Sequence, residues 1–570
     1  MRAHKSKALV AGAAAIALAA AGCGSSGGGG GGGSKGSGQV IFGESTDFPQ
    51  NFLPLISAGN ATSVANVEIR ALDGPFLIAP SIAYTADPEQ GTVTSSMVGG
   101  QQVLDIKVNP KAVWADGQPI TADDYIFTTT EQKSNDPKTG GCADLLSTVG
   151  FDQVVKTQKV SDKEAKVYFD KAKPFADWRG MYAGSNAMIL SKHLMDKGSP
   201  AATCAYLHKG WPVAGGIPLG ATNGPWMLPA KNVDASKKTF TLLPNPKYWG
   251  AKPKLARLVY QNIGSVADTN VKAIQNGEVG MVYPQPQLDL VSNIKKLSNL
   301  TTKISFGSSF EHLDFNTKVP LLDKPQIRKA IALAIDRNAL VGATVGKFSD
   351  QAKVLGNRLI LSNQPGYVDH GTAYNAQSIA KAKQLIESVG GKLGSDGYYK
   401  VNGKQLSFRV STTQGNPLRD QTVLTIAAQV KAAGIKLTEF QNPDIFAGTD
   451  KPNSLVSEGF QIALFAWVGG PSISAQNSIY VTKSKGGGQN YSQGSDPVVD
   501  AALSQISGAQ SPAAEIAAAN KADAQLWQDM YTLPLYQKPT FLAYEKNLNG
   551  VVDNATQAGP LWNSDTWTVK

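Results

Sequence analysis

Three cysteines and five histidines in 570 residues leave little material for metal or thiol chemistry. His4, His193, His208, His312 and His370 stand apart, with no HExxH or His-x-His spacing, and no CxxC pair occurs. A histidine-built metal or haem site therefore has no support, and no cofactor or metal is expected. A G-x-S-x-G nucleophile elbow occurs only inside the Gly24 to Gly38 tract, which meets glycine patterns through low complexity. Gly342 to Lys347 faintly resembles a phosphate loop, but its glycine spacing is one residue short and Phe348 replaces the required Ser or Thr. Carboxylates are plentiful and none is singled out as an acid/base pair, so the chain does not read as an enzyme. Beyond the N-terminus no apolar run is long enough to span a bilayer. Charged residues are only 17% of the chain, and its Lys and Arg residues are scattered rather than gathered in a basic stripe. Nucleic acid is not an expected partner.

What is present begins with an unusual first stretch. Arg2, Lys5 and Lys7 form an acid-free basic start, and Ala8 to Ala20 is an apolar run of export-signal length. Ala20-Ala21-Gly22-Cys23 resembles a bacterial lipobox, with Ala20 where Leu is usual. The resemblance implies that residues 1–22 are a signal peptide and that Cys23 is lipidated; an ordinary secretory signal is the alternative. Residues 23–38 then hold that cysteine and a Gly/Ser linker interrupted only by Lys35, a leash whose ends sit roughly 20 Å apart. The expected location is extracytoplasmic, anchored by lipid to the outer face of the bacterial cell membrane. Taking the three basic signal residues from the formal charge of +10 leaves +7 on the mature chain. With Cys23 assigned to lipid, Cys142 and Cys204 form an even pair suited to a disulfide in an oxidising compartment, two separate thiols being the alternative.

The body reads as α/β. Gln39 to Gly43 is a first strand, and antiparallel strands follow between Gly91 and Val113 and between Val160 and Asp170. Helices are expected over Thr121 to Lys133, Val266 to Asn276, Gln326 to Val341, Ser378 to Val389, Arg419 to Ala433 and Ala513 to Met530. Strands at Leu406 to Thr412 and Lys436 to Glu439 flank the Arg419 helix in an α/β alternation.

Several segments together resemble the family 5 extracytoplasmic solute-binding proteins, the dipeptide and oligopeptide binders of ABC importers. Trp114-Ala-Asp116-Gly117-Gln-Pro119-Ile-Thr121-Ala122-Asp123-Asp124 is similar to that family's W-x-DG-x-P-x-TA-x-D segment, and Asn245-Pro246-Lys-Tyr248-Trp249 to its N-P-x-Y-W segment. Leu313 to Thr317, Ile327-Arg328 and Ala334 to Arg337 resemble a third signature. Most of these residues read as structural: Trp114 and Trp249 as buried anchors, Asp336-Arg337 as a helix-end cap and ion pair. The resemblance implies a large two-lobed type II periplasmic-binding fold with an inserted extra domain. Lobe I would comprise 39–75, 213–300 and 531–570, the inserted domain 76–212, and lobe II 301–530. It also implies a monomer that binds an oligopeptide or peptide-like solute between its lobes and meets the importer's permease subunits. An envelope lipoprotein with a regulatory role or a glycan- or lipid-like ligand is the alternative.

The ligand segment is Phe465-Ala466-Trp467-Val468-Gly469-Gly470-Pro471, which resembles the family's G-W-x-x-D strand end at the cleft. Gly470 stands where the family places the Asp that holds a peptide's free amine, so a carboxylate clamp is missing. Trp467, Val468, Gly469, Gly470 and Tyr491 are the expected ligand contacts, with Trp467 stacking on ligand or serving as core, and Arg358 as an anion contact in a polar loop.

Overall fold

The computed structural model describes residues 38–570 except Asp47, 134–140, 143–144, 146–149, 184–187 and 447–450. The signal peptide and Cys23 lie outside the described residues. Strand Gln39–Glu44 runs parallel to Arg257–Asn262 and Met281–Val282. All three belong to one 11-stranded mixed sheet ordered 436–442, 407–413, 462–468, 300–315, 532–545, 281–282, 39–44, 257–262, 239–244 and 226–227, with 233–234 beside 239–244. Two of its strands are much longer than the rest, Leu300–Phe315 with 16 residues and Thr532–Glu545 with 14. They pair antiparallel along most of their length and so join the two halves of the sheet. Their register slips between Phe306 and Phe310, where a Cβ on Gly307 would overlap the Ala555 carbonyl. That bulge breaks the ladder beside the cavity described below.

Separate apolar cores lie along this sheet. Phe42, Trp226, Phe240, Tyr260 and Trp567 pack under one half, with the Phe240 and Tyr260 rings stacked at 4.1 Å. Phe315, Ile331, Val410, Val430 and Leu533 fill the other. A four-stranded antiparallel sheet, 91–98, 101–108, 164–169 and 154–161, carries its own core of Trp114, Tyr125, Phe151 and Tyr182. Alternation places Leu104 and Ile106 inside it on one strand and Ala165 and Val167 on its neighbour. Cys142 and Cys204 form a disulfide, and both pack in the core of Phe42 and Trp226 rather than in that of the four-stranded sheet.

Local chemistry explains the family-like turns. Gly117 adopts φ 97°, which L side chains rarely take, and Asp116 accepts from the Gln118 amide at 3.0 Å. Trp114 is fully buried; Trp249 is half-buried and donates from its ring to the Glu89 carbonyl. Three expectations need correction. The helix expected over Gln326 to Val341 is two helices, Pro325–Ala334 and Arg337–Ala343, because Asp336 leaves the helical region and caps the second through the Ala339 amide at 2.8 Å. Asp336 therefore acts as a cap without pairing to Arg337. That guanidinium is fully buried and donates instead to the carbonyls of Leu355, Pro534, Gly371 and Tyr374. The strand expected to stop at Glu439 continues to Asn442.

Candidate functional site: a cavity at the end of the 462–468 strand

Strand Ile462–Val468 is apolar throughout and buried on both faces until its last three residues, as a strand running out of a covered sheet is. It pairs antiparallel with Leu300–Phe315, which sets Trp467 opposite Phe310 and Val468 opposite Ser309. Beyond Val468 the chain leaves the sheet, held by the Gly469 amide donating to the Ser308 carbonyl at 2.7 Å. The bulged strand thus supplies the acceptor that fixes the glycine turn. Trp467, Val468, Gly469 and Gly470 form one wall of a cavity of about 430 Å³, a volume in the range of small-molecule sites. The opposite walls come from Tyr84, Phe151, Asp177 and Gly180, with Gln557 and Ala558 from the C-terminal segment. Val468 is 57% exposed, an apolar side chain left uncovered at this wall.

Trp467 lines the cavity and is itself packed among other rings. His312 lies near-parallel to it, 17° off plane at 6.0 Å, and so does Tyr491, 11° off plane at 5.7 Å. Phe465 meets it edge-on at 5.1 Å. These ring contacts hold the indole in place and stiffen the wall. Tyr491 packs against Trp467 without being among the residues that line the cavity, and burial raises its hydroxyl pKa. Arg358 is elsewhere. It is fully buried, pairs with Asp523 at 3.1 Å, donates from Nε to Thr532 Oγ1 at 2.8 Å, and stacks over Trp527. An anion contact from a surface loop is thus not what this guanidinium makes; its charge is consumed inside the fold.

Gly470 has open space around it, since a Cβ there would meet nothing within 4 Å. No carboxylate stands in its place on that wall. Among the described residues lining the cavity, none is Lys, Arg or His, the only acidic one is Asp177, and four are glutamines (132, 476, 489 and 557). Sequence reasoning missed Asp177 and its partners. Its carboxylate crosses the cavity to accept from the Ser474 amide at 3.2 Å and from the Ser474 hydroxyl, and it hydrogen-bonds to the carboxyl of Glu515. Beside it Tyr84 Oη meets Ser472 Oγ at 3.1 Å. Burial, and then each other's charge for Glu515, raise both acids, Glu515 to about 8. The only signal for these contacts was the polar Ser472 and Ser474 just after the glycine turn; Asp177 sits in no recognisable pattern. Among the described residues one group of metal-ligand type comes together, Cys142, Cys204 and His208. Its sulfurs are joined in the disulfide and offer no thiolate.

Residues 88–490 match the family model described as bacterial extracellular solute-binding proteins, family 5 middle. The chain belongs to that family. This solute-binding protein is 29% identical over 516 residues to the oligopeptide-binding protein OppA of Mycobacterium tuberculosis, covering 88% of this chain and 80% of that one. Its fold matches the periplasmic EDTA-binding protein EppA with a TM-score of 0.82 at 24% identity, covering 94% of this chain and 97% of that one. It also matches AppA of Bacillus subtilis, solved with a nonapeptide, with a TM-score of 0.70 at 18% identity, covering 94% and 100%. These likenesses identify the α/β body as the two-lobed type II binding-protein fold. The family serves ABC importers by binding solutes and is not an enzyme family. Among the described residues no helix of the solute-binding protein is long and apolar enough to cross a membrane.

Proposed function

We propose that this protein is a lipid-anchored receptor that captures an oligopeptide or peptide-like solute between its lobes and presents it to the permease subunits of an ABC importer. Residues 39–75, 213–300 and 531–570 serve as the first lobe, 76–212 as the inserted domain and 301–530 as the second lobe, working as a monomer. The lobes close by bending of the long paired strands 300–315 and 532–545, and solute binding shifts the open–closed balance. One observation carries the reading: a cavity bounded on one side by the strand end 467–470 and on the other by Asp177 and Gly180. Its similarity to a protein named for oligopeptide binding supports a peptide. The lining narrows the class. With no cation and one engaged carboxylate among its described lining residues, the cavity suits an uncharged, amide- or hydroxyl-bearing solute, and a polyanion such as EDTA would meet no counter-charge from them.

Mass spectrometry of small molecules released on denaturing the purified protein tests this. Release of a peptide, or of a solute with several amide groups, is the expected result. A preparation that carries nothing, and that neither binds nor turns over free and N-acetylated tripeptide pools, refutes it. Recovery of a glycan or lipid would move the assignment to the envelope-lipoprotein alternative.

A further inference from the structure

Asp177 lies at the entry to the short 3-10 turn Trp178–Tyr182, on the side of the cavity built by the four-stranded sheet. Glu515 lies in the first turn of helix Pro512–Asp529, which packs in a different core with Leu359, Leu503 and Ala519. The two carboxyl groups meet across the boundary between these units and hydrogen-bond to each other, with their residues only 7% and 8% exposed. An ionised carboxylate only accepts, so two buried carboxyl groups that hydrogen-bond to each other must hold one proton between them. We propose that Asp177 and Glu515 form a proton-sharing latch that holds the cavity closed, so that closing of the lobes takes up a proton.

The surroundings fix how the proton is held. Ser474 donates twice to Asp177, from its amide and its hydroxyl, which favours the ionised form there and leaves the proton on Glu515. The cation acting on Asp177 is Arg179, on the same turn. Its guanidinium lies over the Trp178 ring at 4.4 Å and lowers the Asp177 pKa less than burial raises it. From strand Ala83–Ala86 the other titratable group is Tyr84, whose hydroxyl is occupied by Ser472 and stays neutral, its pKa pushed up to about 12. No other charged group is among those shifting Glu515. Ile82, beside this strand, packs with Phe310, Leu355 and Leu361 and adds apolar adhesion to the same closure.

Linkage sets the sign. Once the lobes part, both carboxyls return to water and titrate near about 4. Together they titrate with a member raised to about 8. The closed form therefore carries one more proton between those values. Its extra stability is complete below the open-state value and is lost as pH rises through about 8. The closing constant should fall by up to about tenfold per pH unit between roughly pH 5 and 8, then level off. The latch rests on lobe closure but not on the identity of the solute.

The test uses the mature chain without added ligand. Small-angle scattering and hydrogen exchange of the Ser474 amide, corrected for intrinsic exchange, are followed from pH 5 to 9. The wild type is expected to expand and lose Ser474 protection as pH rises. Glu515→Gln, whose amide donates to Asp177 with no titrating proton, should stay closed and flat across the range. Asp177→Asn, which still accepts from Ser474 and can donate to Glu515, should keep a fall but move it to lower pH, because burial alone still raises Glu515. A flat wild-type profile, or a Glu515→Gln profile with the wild-type slope, overturns the latch. Closure that strengthens as pH rises also overturns it, because the carboxylates would then be answering to a cation. Failure of the transport reading would show instead as an absence of bound solute, whatever the pH profile.

Discussion

Gly470→Asp puts back the carboxylate that the strand end lacks, and the structure sets the size of the effect. A Cβ on this glycine would meet no atom within 4 Å, and the residue does not use a left-handed φ, so aspartate enters without clash or backbone strain. The lining holds no Lys, Arg or His to neutralise it among the described residues, and Asp177 is already engaged by Ser474. The new carboxylate can therefore be satisfied well only by a cation on the solute. A hydrogen bond to a charged group contributes about 1.5–3 kcal/mol, which is a factor of roughly 10 to 150 in affinity. Calorimetric titration of wild type and variant with a tripeptide pool in free and N-acetylated forms measures it. The wild type should bind both pools alike, and the variant should favour the free amines by at least about tenfold. A wild type that already prefers free amines tenfold would refute the reasoning and point to Asp177 as the amine contact. An unchanged ratio in the variant would show that solute ends do not reach this wall.

Asp523→Ala should strand the buried Arg358 charge and destabilise the fold by about 3–5 kcal/mol in denaturant titrations, while leaving solute affinity intact in whatever folds. A loss below about 1 kcal/mol would show that Arg358 finds another partner. Cys142→Ser should lower stability by about 4 kcal/mol, since the bond closes a loop with a sequence separation of 62. Equal denaturation midpoints with and without the bond would refute that figure. Cys23→Ser should move the protein from the membrane to the soluble fraction on cell fractionation, and a variant that stays with the membrane would remove the lipid anchor.

The amino-acid pattern by itself determined the α/β class, the positions of most helices and the strand that ends at the cavity. Those features are local. Capping residues, turn glycines and apolar periodicity are read within one turn or one strand, so the helix expected over Ala513 to Met530 is found as Pro512–Asp529 wherever it packs. The missing acid at Gly470 was legible for the same reason, as a departure inside a short motif. Only the tertiary structure decided what the side chains do. Arg358 reads as a polar-loop arginine until Asp523, 165 residues later, arrives beside it in the interior. Trp467 reads equally as ligand stacker or core residue, and only the fold brings His312 and Tyr491 against it from another strand and a loop. The Asp177–Glu515 contact joins two units with separate cores, and no local pattern marks either residue. Periodicity records which way a side chain faces, whereas burial and pairing depend on what distant chain is brought against it, and that is settled only when the two lobes fold and meet.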